Sequence, residues 1–195
     1  FVLFFFLRKL ILIHCVQKPF NFLLNLMSSP GAGKTTTLTK TIDAMKHDFR
    51  IGVMEADIDS AVDADMTRQG LLELDTSDVD LAILENVGNL VCPAEFDTGA
   101  VKNAMILSVP EGDDKPLKYP LMFQVCQCLL INKIDVLPYF DFDLEECKKR
   151  VLKLNPDMKI IPISARTGEG MDEWIDWLKE ETSSWNESNE KGVKE

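Results

Sequence analysis

The chain has 195 residues, 46% of them hydrophobic, and a formal net charge of −11. That length and apolar share can bury one good core and require only one domain. The acid excess argues against a nucleic-acid partner, which demands basic patches, and five cysteines without framework spacing point to a reducing compartment, the cytoplasm, rather than a secreted scaffold.

The first residues differ in composition from the rest. Phe1–Leu7 and Leu10–Val16 are apolar and separated by Arg8-Lys9. Neither run nears the roughly 18–20 residues of a membrane span. No basic stretch precedes them and no small-x-small cleavage site follows, so a signal peptide is not expected. Residues 1–18 are left unassigned. Foreign upstream sequence is preferred to an additional buried strand or helix, and that to a membrane anchor. The domain is expected over 19–181.

The apolar run Phe20–Met27 suits a buried strand, and Thr35–Met45 has a helical pattern. Between them lies Ser28-Ser29-Pro30-Gly31-Ala32-Gly33-Lys34-Thr35-Thr36, a phosphate-binding loop in the strand–loop–helix setting that this motif requires. Gly31 and Gly33 allow the backbone to approach an anion, and successive N–H groups, including that of Ala32, form a nest for phosphates. Lys34 is expected to reach the β- and γ-phosphates, and the Thr35 hydroxyl to bind Mg²⁺, with Thr36 beside it. Ser28 stands where the motif has its first glycine.

Further on, Ile51–Glu55 is a strand ending in Ala56-Asp57. Asp57 is a candidate for the metal shell, with a helix N-cap as its alternative. Leu81–Leu84 is an apolar strand that delivers Glu85, followed three residues later by Gly88. Glu85 is expected near Mg²⁺, directly or through water, and the Gly88 N–H near the γ-phosphate.

Leu129-Leu130-Ile131 leads into Asn132-Lys133-Ile134-Asp135. A carboxylate at Asp135 can accept two parallel hydrogen bonds from the guanine N1–H and exocyclic amine, a donor pair that adenine lacks. Asn132 is expected to hold neighbouring loops and the base edge, and the Lys133 stem to lie along the base. After the next strand, Ile160–Ile163, comes Ser164-Ala165-Arg166, where a backbone N–H can meet guanine O6.

Strands are expected near 20–27, 50–55, 79–85, 104–109, 128–132 and 159–163, and helices near 34–46, 60–74, 115–125, 141–154 and 170–181. The alternation predicts an α/β fold: a three-layer P-loop NTPase with a mostly parallel sheet covered by helices on both faces. Cys126, Cys128 and Cys147 are expected to be buried structural thiols. Met45, Met54, Met105 and Met122 read as core filler, and Trp174 and Trp177 pack the last helix onto the sheet. Residues 182–195 read as a helix end fraying into a disordered tail.

From Phe20 to about Lys179 the chain resembles the GTPases that help insert nickel into [NiFe]-hydrogenases, of the same branch as the urease and signal-recognition GTPases. The specific strings are Glu85-Asn86-Val87-Gly88-Asn89-Leu90-Val91-Cys92-Pro93-Ala94-Glu95-Phe96-Asp97 and Glu111-Gly112-Asp113-Asp114-Lys115-Pro116-Leu117-Lys118-Tyr119-Pro120. The resemblance implies GTP hydrolysis to GDP and phosphate, Mg²⁺, and a homodimer favoured by GTP. It also implies delivery of nickel to a hydrogenase large subunit together with other nickel-insertion accessory proteins. Glutamate at 85, where most GTPases carry aspartate, agrees with this branch.

One departure matters. The family carries an adjacent Cys-His pair in a segment before the Glu-Asn-Val-Gly strand. Here Thr67-Arg68-Gln69-Gly70 runs straight into Leu71-Leu72-Glu73. Cys92 alone remains as a Ni²⁺ or Zn²⁺ ligand, short of the usual four. Neither His14 nor His47 stands in the pair's place. Nucleotide binding is expected to survive, while metal binding and fast turnover are weakened. Two alternatives stay open: a nucleotide-binding docking module with little turnover, and a metal carrier, which so few ligands disfavour.

Overall fold

The computed structural model describes residues 4–5, 22–56, 79–86, 88 and 97–192. Its centre is one parallel sheet. The strands are β1 (Phe4–Phe5), β2 (Phe22–Ser28), β3 (Ile51–Ala56), β4 (Leu81–Asn86), β5 (Lys102–Ser108), β6 (Cys128–Asn132) and β7 (Lys159–Pro162). They lie in the order β1-β3-β4-β2-β5-β6-β7, and every neighbouring pair is parallel. The six strands expected from the sequence are present, and Phe4–Phe5 adds a two-residue edge beside Val53–Met54.

All seven residues of β2 and all five of β6 are buried. Strands covered on both faces read as unbroken apolar runs for this reason. Alternate side chains divide between two cores. On one face Phe22, Leu24, Leu26, Ile83, Ala104 and Ile106 pack under α1 (Lys34–Met45) and the chain's last helix. On the other, Met27, Met105, Leu107 and Leu129 meet α2 (Lys115–Lys118), α3 (Pro120–Val125) and α4 (Leu144–Leu154), through Met122, Phe123, Cys147 and Val151. The last helix, α5 (Met171–Gly192), buries Trp174 and Leu178 in the first core. The Trp174 indole N–H donates to Thr41 Oγ1 at 2.8 Å, and its ring stacks on Trp177.

Three expectations about elements are corrected. The helix expected over 115–125 is two short helices, because Pro120 has no N–H to continue the ladder and drives Tyr119 to φ −131°, ψ 56°. The helix expected from 141 starts at Leu144, capped by the Asp143 carboxylate accepting from the Glu146 N–H at 2.9 Å. Residues Ile134–Tyr139 before it form a 3₁₀ turn. Finally, α5 continues through Gly192 where a disordered tail was expected. Thr182 is fully buried and donates to the Leu178 carbonyl at 2.7 Å, and Asn186 Nδ2 donates to the Asp80 carbonyl at 3.2 Å. The helix expected over 60–74 lies outside the described residues.

Of the methionines expected in the core, Met45, Met105 and Met122 are fully buried and Met54 is half-buried. Cys126, Cys128 and Cys147 are buried, as their setting suggested. No helix among the described residues is long and apolar enough to cross a membrane.

Candidate functional site

The carboxyl ends of parallel strands gather on one edge of the sheet, and the loops leaving them converge there. The phosphate loop leaves β2 at Ser28 and enters α1 at Lys34. Gly31 (φ 74°) and Gly33 (φ 94°) hold the left-handed conformations the turn needs. A Cβ on Gly33 would lie 2.4 Å from Asn132 Nδ2, so the position also lacks room for one. Gly88, after β4, backs against the loop: a Cβ there would lie 2.7 Å from the Pro30 nitrogen. Ser28, Ser29, Pro30, Gly31, Gly33, Lys34, Thr35, Thr36 and Gly88 line an open cavity of about 310 Å³ at the N-terminus of α1. Helix N-termini with exposed amides favour anions.

Lys34 is the charge at the centre of this cavity. Its ammonium donates to the Asn86 carbonyl and stands 3.7 Å from a Glu85 carboxylate oxygen. Burial pushes its pKa below the ordinary lysine value, and the attraction of Glu85 offsets part of that shift. β3 and β4 are in register, so Glu55 pairs with Glu85 on the same face of the sheet. Glu55 also acts on Lys34 electrostatically. Nothing in the sequence around Glu55 marks it as a site residue; only the register of two strands far apart in sequence brings it in. Ser29 Oγ, buried in the loop, has no hydrogen-bond partner among the described residues. An orphaned buried hydroxyl, a Cβ-free cradle, an exposed Thr35 and a carboxylate at Glu85 together make a donor set that fits a phosphate with a hard cation.

The second half of the site is built at the end of β6. Asn132 is buried and ties three segments together. Its Nδ2 donates to the Ala32 carbonyl at 2.8 Å, while its Oδ1 accepts from the Lys133 N–H at 2.8 Å and the Ala165 N–H at 3.0 Å. Lys133 adopts a left-handed conformation (φ 65°), and its ammonium donates to the Gly31 carbonyl at 2.6 Å. Asp135 follows in the 3₁₀ turn, where the Ser164 hydroxyl donates to its Oδ1 at 2.7 Å. The Thr167 N–H in turn donates to Ser164 Oγ at 3.1 Å, closing the turn after β7. Lys40 on α1 donates to the Arg166 carbonyl at 3.2 Å and braces the same turn.

The structure therefore brings Gly31, Ala32, Gly33, Lys34, Thr35, Thr36, Glu85 and Gly88 together, and stitches Asn132, Lys133, Asp135, Ser164 and Ala165 to them. Within Ser164-Ala165-Arg166, the Ala165 N–H is engaged by Asn132. Asp57 and Cys92 lie outside the described residues. No group of three or more His, Cys, Asp or Glu side chains able to hold a metal ion occurs among the described residues.

Comparison with known proteins agrees with this geometry. Residues 69–162 match the CobW/HypB/UreG nucleotide-binding domain. The hydrogenase maturation factor HypB of Azotobacter chroococcum is 45% identical over 181 aligned residues, covering 81% of this chain and 59% of that protein. The chain thus spans about three fifths of the length of the Azotobacter relatives it matches. Among solved structures, HypB from Archaeoglobus fulgidus superposes with a TM-score of 0.75 at 33% identity, covering 83% of this chain and 90% of that one. HypB from Helicobacter pylori, solved in complex with nickel, gives 0.72 at 34% identity, covering 84% and 88%. The chain belongs to the HypB family of hydrogenase maturation factors.

Proposed function

We propose that this chain is a magnesium-dependent GTPase acting as an accessory factor in nickel insertion into [NiFe]-hydrogenase. One observation carries the reading. The loop suited to guanine and the loop suited to phosphates are bolted to each other by Asn132 on the Ala32 carbonyl and Lys133 on the Gly31 carbonyl. A base held at Asp135 and a triphosphate held at Lys34 would then belong to one nucleotide.

Asp135 accepts the N1–H and exocyclic amine of guanine, and Ser164 fixes the carboxylate plane for that contact. Lys34 and the loop amides neutralise the β- and γ-phosphates, so catalysis rests on positioning and charge stabilisation. Thr35 and Glu85, with Asp57 as a further candidate, would hold Mg²⁺, which would supply positive charge to offset the charge developing on the phosphates. Gly88 brings its backbone beside the loop for the γ-phosphate. Among the described residues, no glutamine or arginine lines the phosphate cavity to position the attacking water, so turnover by the isolated chain should be slow, with a partner completing the site.

A second copy of the chain is the proposed first partner. Leu117 and Leu121, on the segment leaving β5, and Tyr139 and Phe140, on the segment leaving neighbouring β6, are large apolar side chains exposed to solvent. A GTP-favoured homodimer would cover them. The hydrogenase large subunit and other accessory proteins are the further partners. Nickel or zinc would reach Cys92 as cargo; without the Cys-His pair that site is weak.

A second reading has an observation of its own. The alignment with the Azotobacter relative is longer than the stretch of this chain that it covers. The relative therefore carries residues that this chain lacks, in agreement with the gap after Gly70. A chain shortened in this way would be a nucleotide-binding docking module with little turnover.

Heat unfolding with GDP, a non-hydrolysable GTP analogue and ATP, each with Mg²⁺, tests the proposal. Guanine nucleotides should raise the melting temperature, ATP should not, and Lys34→Ala should remove the effect. Absence of protection by either guanine nucleotide overturns it. Phosphate release at saturating GTP separates the enzyme from the docking module.

A further inference from the structure

Three asparagines are set into an otherwise apolar part of the sheet. Asn25 lies in the middle of β2 and Asn86 at the end of β4, each 1% exposed, and Asn103 lies near the start of β5. They face the core that holds Met27, Met105 and Leu107, since each alternates with residues of the opposite core. Their side chains are joined across three strands. Asn86 Nδ2 donates to Asn25 Oδ1, Asn25 Nδ2 donates to Asn103 Oδ1 at 2.9 Å, and Asn103 Nδ2 donates to the Val125 carbonyl at 3.3 Å.

The chain of bonds has a determined direction. A main-chain carbonyl can only accept, so Asn103 must turn its amide NH₂ to Val125 and its oxygen to Asn25. Asn25 must then offer its oxygen to Asn86. The free end is Asn86 Oδ1, which is buried and has no partner among the described residues. At the other end Val125 closes α3, whose last carbonyls are held by further amides: Gln127 Nε2 on Val125 and Asn155 Nδ2 on Cys126 at 2.8 Å.

Apolar residues would fill these positions at least as well for stability, because buried amides gain little net free energy from pairing. What the amides add is direction. Asn86 is the residue whose main-chain carbonyl receives Lys34, and it directly follows Glu85. The described polar anchor of its side chain is Asn25.

We propose that Asn25 is a positioning residue for the nucleotide site: with Asn103 it fixes the end of β4, and through it Glu85 and Lys34, relative to β2 and the end of α3. The inference rests on the GTPase reading and extends it to residues that do not touch the nucleotide. Asn25→Leu keeps the volume but leaves Asn86 Nδ2 and Asn103 Oδ1 unpaired. Loosening the end of β4 should act on the carboxylate that would meet Mg²⁺ more than on the base contacts.

The test measures GDP affinity by titration with and without Mg²⁺, and GTP turnover, in wild type, Asn25→Leu, Asn103→Leu and Val151→Ala, the last chosen for a comparable loss of melting temperature in the core under α4. In Asn25→Leu, GDP affinity in EDTA should stay within threefold. The gain in affinity that Mg²⁺ confers should fall at least fivefold, and kcat at least tenfold. The half-buried Asn103→Leu, which cuts the outer end and serves if Asn25→Leu does not fold, should move both quantities at least threefold in the same direction. Val151→Ala should leave both within twofold. Wild-type-like Mg²⁺ dependence and kcat in the asparagine variants, or equal losses in Val151→Ala, overturn the relay alone. A wild-type chain that binds no GDP overturns the GTPase reading beneath it.

Discussion

Asn132 Nδ2 donates to the Ala32 carbonyl at 2.8 Å, across 100 residues of sequence. The same side chain accepts two backbone N–H groups through Oδ1, from Lys133 and Ala165. It is the knot where the phosphate loop, the base loop and the turn after β7 meet. Asn132→Ala would orphan three backbone groups, two of them buried and the Lys133 N–H half-buried, at about 1–3 kcal/mol for each that finds no water. We expect a stability loss of about 3 kcal/mol in urea unfolding and at least a tenfold fall in GDP affinity. Asn132→Asp keeps the two acceptor bonds but sets a buried carboxylate oxygen against the Ala32 carbonyl, so it should cost at least as much at neutral pH.

Asp135→Asn changes one acceptor oxygen to a donor while Ser164 can still bond the remaining oxygen. Guanine then meets a mismatched edge, whereas xanthine, with a carbonyl in place of the amine, meets a matched one. Affinity for GDP should fall by about two orders of magnitude and that for XDP should rise. Competition binding with the two nucleotides checks this; unchanged GDP affinity would remove Asp135 from base recognition.

Asp80 lies just before β4, and its carboxylate takes both the backbone N–H and the guanidinium of Arg50 at 2.8–3.0 Å. Those bonds, first of all the side-chain ones, hold its pKa below the ordinary 3.8. A depressed acid contributes stability above its unfolded value, and the contribution is lost as pH falls through the folded one. Asp80→Asn should therefore cost about 0.5 kcal/mol at pH 7, a small figure because the Arg50 side of the pair is solvated, and nothing once Asp80 itself is protonated. The melting curves of both proteins should stay apart from pH 7 down to about pH 4 and converge only once the pH has fallen below the folded value of Asp80.

The three buried thiols, Cys128 in the first core and Cys126 and Cys147 in the second, should be silent. Burial pushes Cys126 and Cys128 far above the usual thiol range, and Cys147 up to about 12. At pH 8 the Cys147 thiol is therefore held in its protonated form, and the packing around it excludes a reagent. Iodoacetamide on the folded chain, read residue by residue in a mass spectrometer, should leave all three unmodified, and urea should release them.

What the sequence made legible was chemistry carried on contiguous residues. Ser28–Thr36 and Asn132–Asp135 each combine a special backbone shape with a polar or charged group, and both lie at the carboxyl ends of their strands. The strands were equally visible, since burial on both faces leaves runs such as Leu129-Leu130-Ile131. Features made by register were not. Glu55 beside Glu85 exists only once β3 and β4 pair, and Asn25 looks like a blemish in an apolar strand until Asn86 and Asn103 arrive beside it. The end of α5 was missed for a related reason. Ser183, Ser184 and Asn186 have the composition of a tail, yet Thr182 is sealed in the core and Asn186 reaches Asp80, so tertiary contacts extend a helix that local propensity would release.

The length of α5 has one more effect. The chain's three tryptophans, Trp174, Trp177 and Trp185, all sit on this helix. Its first turn follows the loop that braces Asp135, and its later turns run back along the sheet to Asp80. Intrinsic indole emission is consequently a reporter on a single element. Detachment of α5 would register as a red shift from the stacked Trp174–Trp177 pair, with no dye attached and no residue replaced.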